Sequence, residues 1–136
     1  MTRPHPNATH LIAIVENDGA ARHSFEVLLK SEGYRVSAFE SGRRFLEAFE
    51  ALGPCCVLLE MRLPDIDGLE VLEAVRRSPA SPPVILMTRV PKLPVPERVR
   101  RMGAMMLLEK PIEHACLFSA IRMAVDGHAG GGPERR

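Results

Sequence analysis

An α/β doubly wound parallel sheet is the fold class this sequence predicts, and three observations carry it. Short apolar runs alternate five times with segments of helical periodicity. The central run, CCVLLE at 55–60, is apolar until its last residue, as in a strand covered on both faces. A length of 136 residues suits one domain and suffices to bury roughly 70% of the unfolded surface. Crossovers of the usual right hand then join parallel strands through helices.

Each element has its own signal. HLIAIVEN (10–17) is β-branched and apolar and ends in polar groups, the pattern of a buried strand. In the next segment Ala21, Phe25, Leu28 and Leu29 share a helical face, with Asp18 as N-cap and Gly33 as the stop. YRVSAF (34–39) alternates like a strand. SGRRFLEAFEAL (41–52) opens on a capping Ser and aligns Phe45, Phe49 and Leu52. After the third strand, DGLEVLEAVRRS (67–78) combines Asp67 with Glu70 in a capping-box pattern and turns Leu69, Leu72 and Val75 inward. VILMT (84–88) is the fourth strand. LPVPERVRRMG (93–103) predicts a short fourth helix, because Pro94 and Pro96 confine it to a start near Val95. MMLLEK (105–110) and residues 113–127 close the series as strand and helix.

Composition excludes several classes. Charged residues make up 26% and nearly cancel, for a net charge of +1, so no global field selects nucleic acid or a membrane surface. No apolar run approaches the ~20 residues of a membrane span. Residues 1–9 lack the apolar core of a secretory signal and read as a disordered leader; the Gly-rich stretch 128–136 reads as a disordered tail. The domain is expected over 10–127. Cys55, Cys56 and Cys116 have no metal-ligand spacing, and adjacent Cys55 and Cys56 point to opposite strand faces, so all three are expected to be reduced packing residues in a cytoplasmic protein. Five scattered histidines show no metal-like spacing.

Ligands of an open parallel sheet bind beyond the carboxyl ends of its strands. At those ends stand Glu16 and Asn17, then Glu60, Thr88 and Lys110. Two acids, an amide, a hydroxyl and an ammonium are thus expected to converge on one edge of an apolar sheet.

With the segments IAIVEND, VLLEMRLPDIDGLEVL, PPVILMT and GAMMLLEKP, the chain resembles the receiver domain of bacterial two-component response regulators from residue 10 to about 127. The Pro-x-x-Asp-Gly loop at 64–68 and the Lys110-Pro111 step carry the likeness. The resemblance implies a flavodoxin-like sheet of order 2-1-3-4-5. In that family an Asp ending the third strand accepts a phosphoryl group from a histidine kinase. An acidic pair after the first strand helps bind Mg²⁺, the fourth-strand Ser or Thr contacts the phosphoryl group, and the fifth-strand Lys, in a typically cis Lys-Pro step, completes the site.

The matching positions depart from that pattern. Glu60 stands at the phosphoacceptor position, and Glu16 and Asn17 at the acidic pair. Thr88 and Lys110 are intact, Arg89 replaces a small residue, and Leu107 stands where a switching aromatic sits. The Mg²⁺ set becomes Glu16, Asn17, Glu60 and the Arg62 backbone carbonyl, a weak or absent site, because Asn17 brings no charge and Glu60 reaches about 1.5 Å farther than Asp. A Glu60 carboxylate extended toward Thr88 and Lys110 partly occupies the place and charge of a phosphoaspartate. At ~4 Å and an effective dielectric of about 20 such a pair attracts by about 4 kcal/mol before desolvation, comparable with the few kcal/mol separating switch states.

The expected function is therefore a single-domain receiver in two-component phosphorelay signalling. It acts as a phosphorylation-independent interaction module, not an enzyme, and needs no cofactor. The alternative is a receiver that still takes a phosphoryl group with Mg²⁺. A third reading leaves Glu60 as a strand-edge cap paired with Lys110 or Arg89. Partners implied by the resemblance are a histidine kinase, a phosphotransfer protein or a downstream regulator. The fourth helix, fifth strand and fifth helix form the family's usual partner face, which admits a homodimer. Arg98, Arg100 and Arg101 read as a solvated helix face, with no direct nucleic-acid contact expected. A flavin-binding relative is disfavoured because no Ser/Thr/Gly-rich phosphate loop follows the first strand.

Overall fold

The computed structural model describes residues 5–89 and 96–129. Five strands form one sheet: β1 (Leu11–Val15), β2 (Arg35–Phe39), β3 (Cys56–Glu60), β4 (Val84–Thr88) and β5 (Met106–Glu109). All neighbours are parallel and their order is β2-β1-β3-β4-β5, as the resemblance implied. The helices are α1 (Gly19–Ser31), α2 (Gly42–Leu52), α3 (Gly68–Arg77), α4 (Pro96–Arg101) and α5 (His114–Ala129).

The two-residue period of the strands divides the core into two layers. Ile12, Ile14, Cys56, Leu58, Ile85 and Met87 face α1 and α5, where Phe25, Leu29, Leu117 and Ile121 cover them. Their neighbours Ala13, Val15, Val57, Leu59, Val84 and Leu86 face α2, α3 and α4, meeting Phe45, Phe49, Val71, Leu72, Val75 and Val99. Strands β1, β3 and β4 are therefore buried along their whole length, while the edges β2 and β5 are only partly covered.

Caps hold the helix starts in place. Asp18 accepts from the amides of Ala20 and Ala21, Ser41 from Arg44, and Asp67 with Glu70 completes the capping box. The α2 helix stops at Gly53, whose φ of 57° is left-handed. In α3 the buried face is Val71, Leu72 and Val75; Leu69, expected inward, is half-buried against the same layer.

Several boundaries differ from the sequence expectation. The fourth helix is described from Pro96, and the expected start near Val95 lies outside the described residues. Residues 5–9, within the expected leader, form a turn in which Asn7 Nδ2 donates to the Glu32 carbonyl at 2.8 Å. The His5 imidazole lies against Gly33, at a φ of +93° where an added Cβ would stand 2.1 Å from Nδ1. The last helix runs through Ala129, two residues into the expected tail. Residues 1–4 and 130–136 lie outside the described residues.

Candidate functional site

The sheet brings its charged ends together because hydrogen bonding continues one residue past β1, β3 and β5. Glu16 N donates to Phe39 O at 3.0 Å, Met61 N to Met87 O at 2.9 Å, and Lys110 N to Thr88 O at 2.7 Å. Glu16 (1% exposed), Glu60 (3%) and Thr88 (5%) are the buried polar or charged residues among those described. The Lys110 side chain, 10% exposed, reaches into the same crevice. The Lys110-Pro111 bond is cis.

Lys110 Nζ bridges Glu16 Oε1 and Glu60 Oε1. The other oxygens of these carboxylates accept backbone donors: Glu16 Oε2 from Asp18 N at 3.0 Å and Glu60 Oε2 from Arg62 N at 3.0 Å. Three of the four carboxylate oxygens in the crevice thus accept a hydrogen bond, and Glu60 Oε1 meets the ammonium as an ion pair without one. Charged groups so deeply desolvated persist only when paired, and here one ammonium serves two carboxylates. The Lys110 ammonium also lies 6.0 Å from the Phe25 ring centre.

Two further cations edge the crevice. Arg22 Nη1 donates to the Glu16 carbonyl at 2.8 Å, folding the first turn of α1 back over the β1–α1 loop. Arg89 Nη2 donates to Asp18 Oδ2 at 3.2 Å, spanning the ends of β1 and β4. The amides of Ala21 and Ala20, with Arg89 and Lys110 nearby, hold the Asp18 carboxyl below its ordinary range. For Asp65, partial desolvation pushes upward, but the amides of Arg43 and Gly42 outweigh it and keep the carboxyl low. Those bonds, at 2.7 and 3.1 Å, tie the β3–α3 loop to the start of α2.

The loop reaches α3 through Gly68, where an added Cβ would lie 2.6 Å from both the Glu60 and Met61 carbonyls. Only a residue without a side chain permits that approach.

Glu16, Glu60, Thr88 and Lys110 therefore share the crevice, and the Glu60–Lys110 contact expected from side-chain reach is present. Asn17 is exposed beside it. The Arg62 amide donates to Glu60 Oε2. Leu107 pairs in register with Leu86 and packs on the α2–α4 side, away from the ammonium. Three contributions were missed in the sequence: Glu16 as a second partner of Lys110, Arg22 over the loop, and Asp65 as a clamp. Arg22 had a local signal, since it lies one helical turn beyond the Asp18 cap, with Arg22 N bonded to Asp18 O at 2.8 Å. Asp65 had none, because its partners lie 22 and 23 residues earlier.

Mg²⁺ demands near-octahedral oxygen donors at about 2.0–2.1 Å. The donor set fits it poorly, because both glutamates already share their charge with the Lys110 ammonium and Asn17 brings none. Among the described residues, no group of three or more His, Cys, Asp or Glu has metal-holding geometry.

A doubly wound sheet of this order, with charged strand ends gathered at one edge, defines a class of compact α/β domains. Within it, residues 12–122 match the model of the response regulator receiver domain, and the chain belongs to that family. Transcriptional regulatory protein FixJ of Bradyrhizobium diazoefficiens is 34% identical over 117 residues, covering 83% of this chain and 57% of that protein. Transcriptional regulatory protein CseB of Streptomyces coelicolor is 32% identical over 126 residues, covering 91% and 53%. The chain spans about half the length of these curated relatives. Among solved structures, the signal receiver domain of a LuxO repressor protein from Vibrio parahaemolyticus superimposes with a TM-score of 0.85 at 23% identity, covering 90% and 94% of the two chains, which speaks for the fold. A CheY-like receiver domain protein from Methanospirillum hungatei gives 0.82 at 26% identity, covering 90% and 98%. No helix among the described residues is long and apolar enough to cross a membrane.

Proposed function

We propose that this receiver domain works without phosphorylation, as a protein-interaction module held in one state by its own glutamates. The observation that carries the reading is the simultaneous engagement of Lys110 by Glu16 and Glu60. Glu60 ends β3 where the family resemblance places the phosphoacceptor Asp, and its carboxylate lies on the ammonium that would otherwise contact a phosphoryl group on that residue. Asn17 contributes no charge, so metal binding is not part of the proposal and the domain is not an enzyme. Phosphoryl transfer depends on metal and in-line positioning, and neither is supported by an amide and two fully engaged glutamates.

The surface then does the work. The partner is a histidine kinase, a phosphotransfer protein or a downstream regulator in the cytoplasm, with α4, β5 and α5 as the contact face and a face for self-association. Nucleic acid is not contacted by this domain.

The test is direct. Incubation with acetyl phosphate and Mg²⁺, followed by phosphate-affinity electrophoresis and intact mass, should leave the wild type unchanged. A stable acyl phosphate on Glu60 would overturn the reading in favour of a phosphate-accepting receiver. Glu60→Asp alone should remain poorly labelled while Asn17 and Arg89 stay, and Glu60→Ala should weaken partner capture.

A further inference from the structure

A cleft of about 640 Å³ opens between the β3–α3 loop and α4, beside the crevice but outside the Lys110 triad. Small-molecule sites usually occupy about 300–1,000 Å³, with an apolar lining and a few placed polar groups. Here Met61, Leu63 and Ile66 supply apolar surface, and Arg62 and Arg98 supply two guanidinium groups. Both arginines are exposed, and neither forms an ion pair among the described residues.

Three carboxylates line the same cleft, and each accepts at least one backbone donor. Asp65 accepts from Gly42 and Arg43, Asp67 from Leu69, and Glu70 from the Asp67 amide. Their charges are partly offset by the positive ends of α2 and α3. The lining side chains with charged donors outside any ion pair among the described residues are Arg62 and Arg98.

The cleft also touches the switch. Thr88 lines it, and the Arg62 amide that borders it donates to Glu60 Oε2 at 3.0 Å. Any displacement of the Arg62 backbone acts on the carboxylate that holds Lys110.

We propose that this cleft binds a small molecule with an anionic head, a carboxylate or phosphate ester, on an apolar body. Arg62 and Arg98 grip the head, Leu63 and Ile66 take the body, and occupancy biases the Glu60–Lys110 contact. In its role as an input the inference rests on the phosphorylation-independent reading, since a receiver that takes no phosphoryl group needs another signal.

Phenyl phosphate and benzoate serve as probes, with inorganic phosphate as the head group alone, in an amide chemical-shift titration of the full chain. Neither organic probe carries an activated phosphoryl group, so the titration reads the cleft whether or not acetyl phosphate labels Glu60. Saturable shifts are expected at Arg62, Leu63, Ile66 and Thr88, with weaker binding of inorganic phosphate. The Arg62→Gln/Arg98→Gln double variant should lose at least about tenfold in affinity, because charge-assisted hydrogen bonds are removed. Its thermal midpoint should stay near that of the wild type, since both side chains are exposed. Arg101→Gln, on the same helix but outside the cleft, should bind as the wild type does. Absence of saturable shifts at these four residues, equal binding by the double variant, or shifts confined to Glu16 and Lys110 would each overturn the proposal. Labelling of Glu60 by acetyl phosphate would instead overturn the phosphorylation-independent reading and leave the cleft standing.

Discussion

Lys110 carries the charge balance of the crevice, one ammonium against the carboxylates of Glu16 and Glu60. Removing the cation and removing one anion therefore have unequal consequences. Lys110→Met would leave two buried carboxylates uncompensated, and breaking a buried pair in this way costs about 3–5 kcal/mol. Glu60→Gln keeps the Glu16 partner and should cost clearly less; urea unfolding of the two variants checks the order. Equal losses would mean that the two glutamates do not share the ammonium. Asp18 gives a second test at this scale. Its carboxyl is held below the ordinary 3.8, first by the Ala21 amide and then by that of Ala20. A lowered folded value means the unfolded chain binds the proton first as acid is added. The stabilisation is complete above 3.8 and is lost as pH falls through the folded value. Asp18→Asn keeps the cap without the charge, so its deficit relative to the wild type should shrink below that pH.

The elements that aim these residues are short, and their loops are held by particular contacts. Gly68 lets α3 start against the end of β3, where an added Cβ would meet two carbonyls at 2.6 Å. Backbone cannot yield as a flexible side chain does, so Gly68→Ala should cost about 1–3 kcal/mol, the usual range for overpacking. Chemical denaturation measures it, and a neutral result would show that the β3–α3 loop relaxes freely. Asp65 belongs to the same loop and holds the first amides of α2. In Asp65→Ala the amides of Gly42 and Arg43 should lose protection from hydrogen exchange while the core of α2, at Phe45 and Phe49, keeps it. Capping of all three helices at Asp18, Ser41 and Asp67 was readable in the sequence, since an N-cap is a local interaction within three residues. The Asp65 clamp was not, because it joins residues that are neighbours only after folding.

For the molecule as a whole, the two-layer core sets which groups water can reach. Cys56 is fully buried, and burial pushes its thiol well above the usual range; Cys55 is raised by burial as well, and Cys116 is exposed. A thiol reagent at neutral pH should modify Cys116 first, Cys55 slowly, and Cys56 only on unfolding. Rapid reaction of Cys56 in the native state would contradict the packing of β3 between helices. Met123, 59% exposed on α5, is one large apolar side chain left outside the core and lies within the face proposed for partners.

Local chemistry determined much of this protein before folding is considered. Apolar runs bounded by polar residues marked the five strands, side-chain period marked the helices, and the strand-end rule pointed to Glu16, Glu60, Thr88 and Lys110. These are properties of neighbouring residues, so a linear reading reaches them. Tertiary structure decided the pairings. That Lys110 is shared by two glutamates and that Arg89 reaches Asp18 rather than a carboxylate in the crevice depends on how far each β-segment runs and which way each loop leaves it. Separations of 94 residues for Glu16 and Lys110, and 71 for Asp18 and Arg89, carry no local trace. Charge can be read along a chain, but the partner that neutralises a buried charge is chosen by packing.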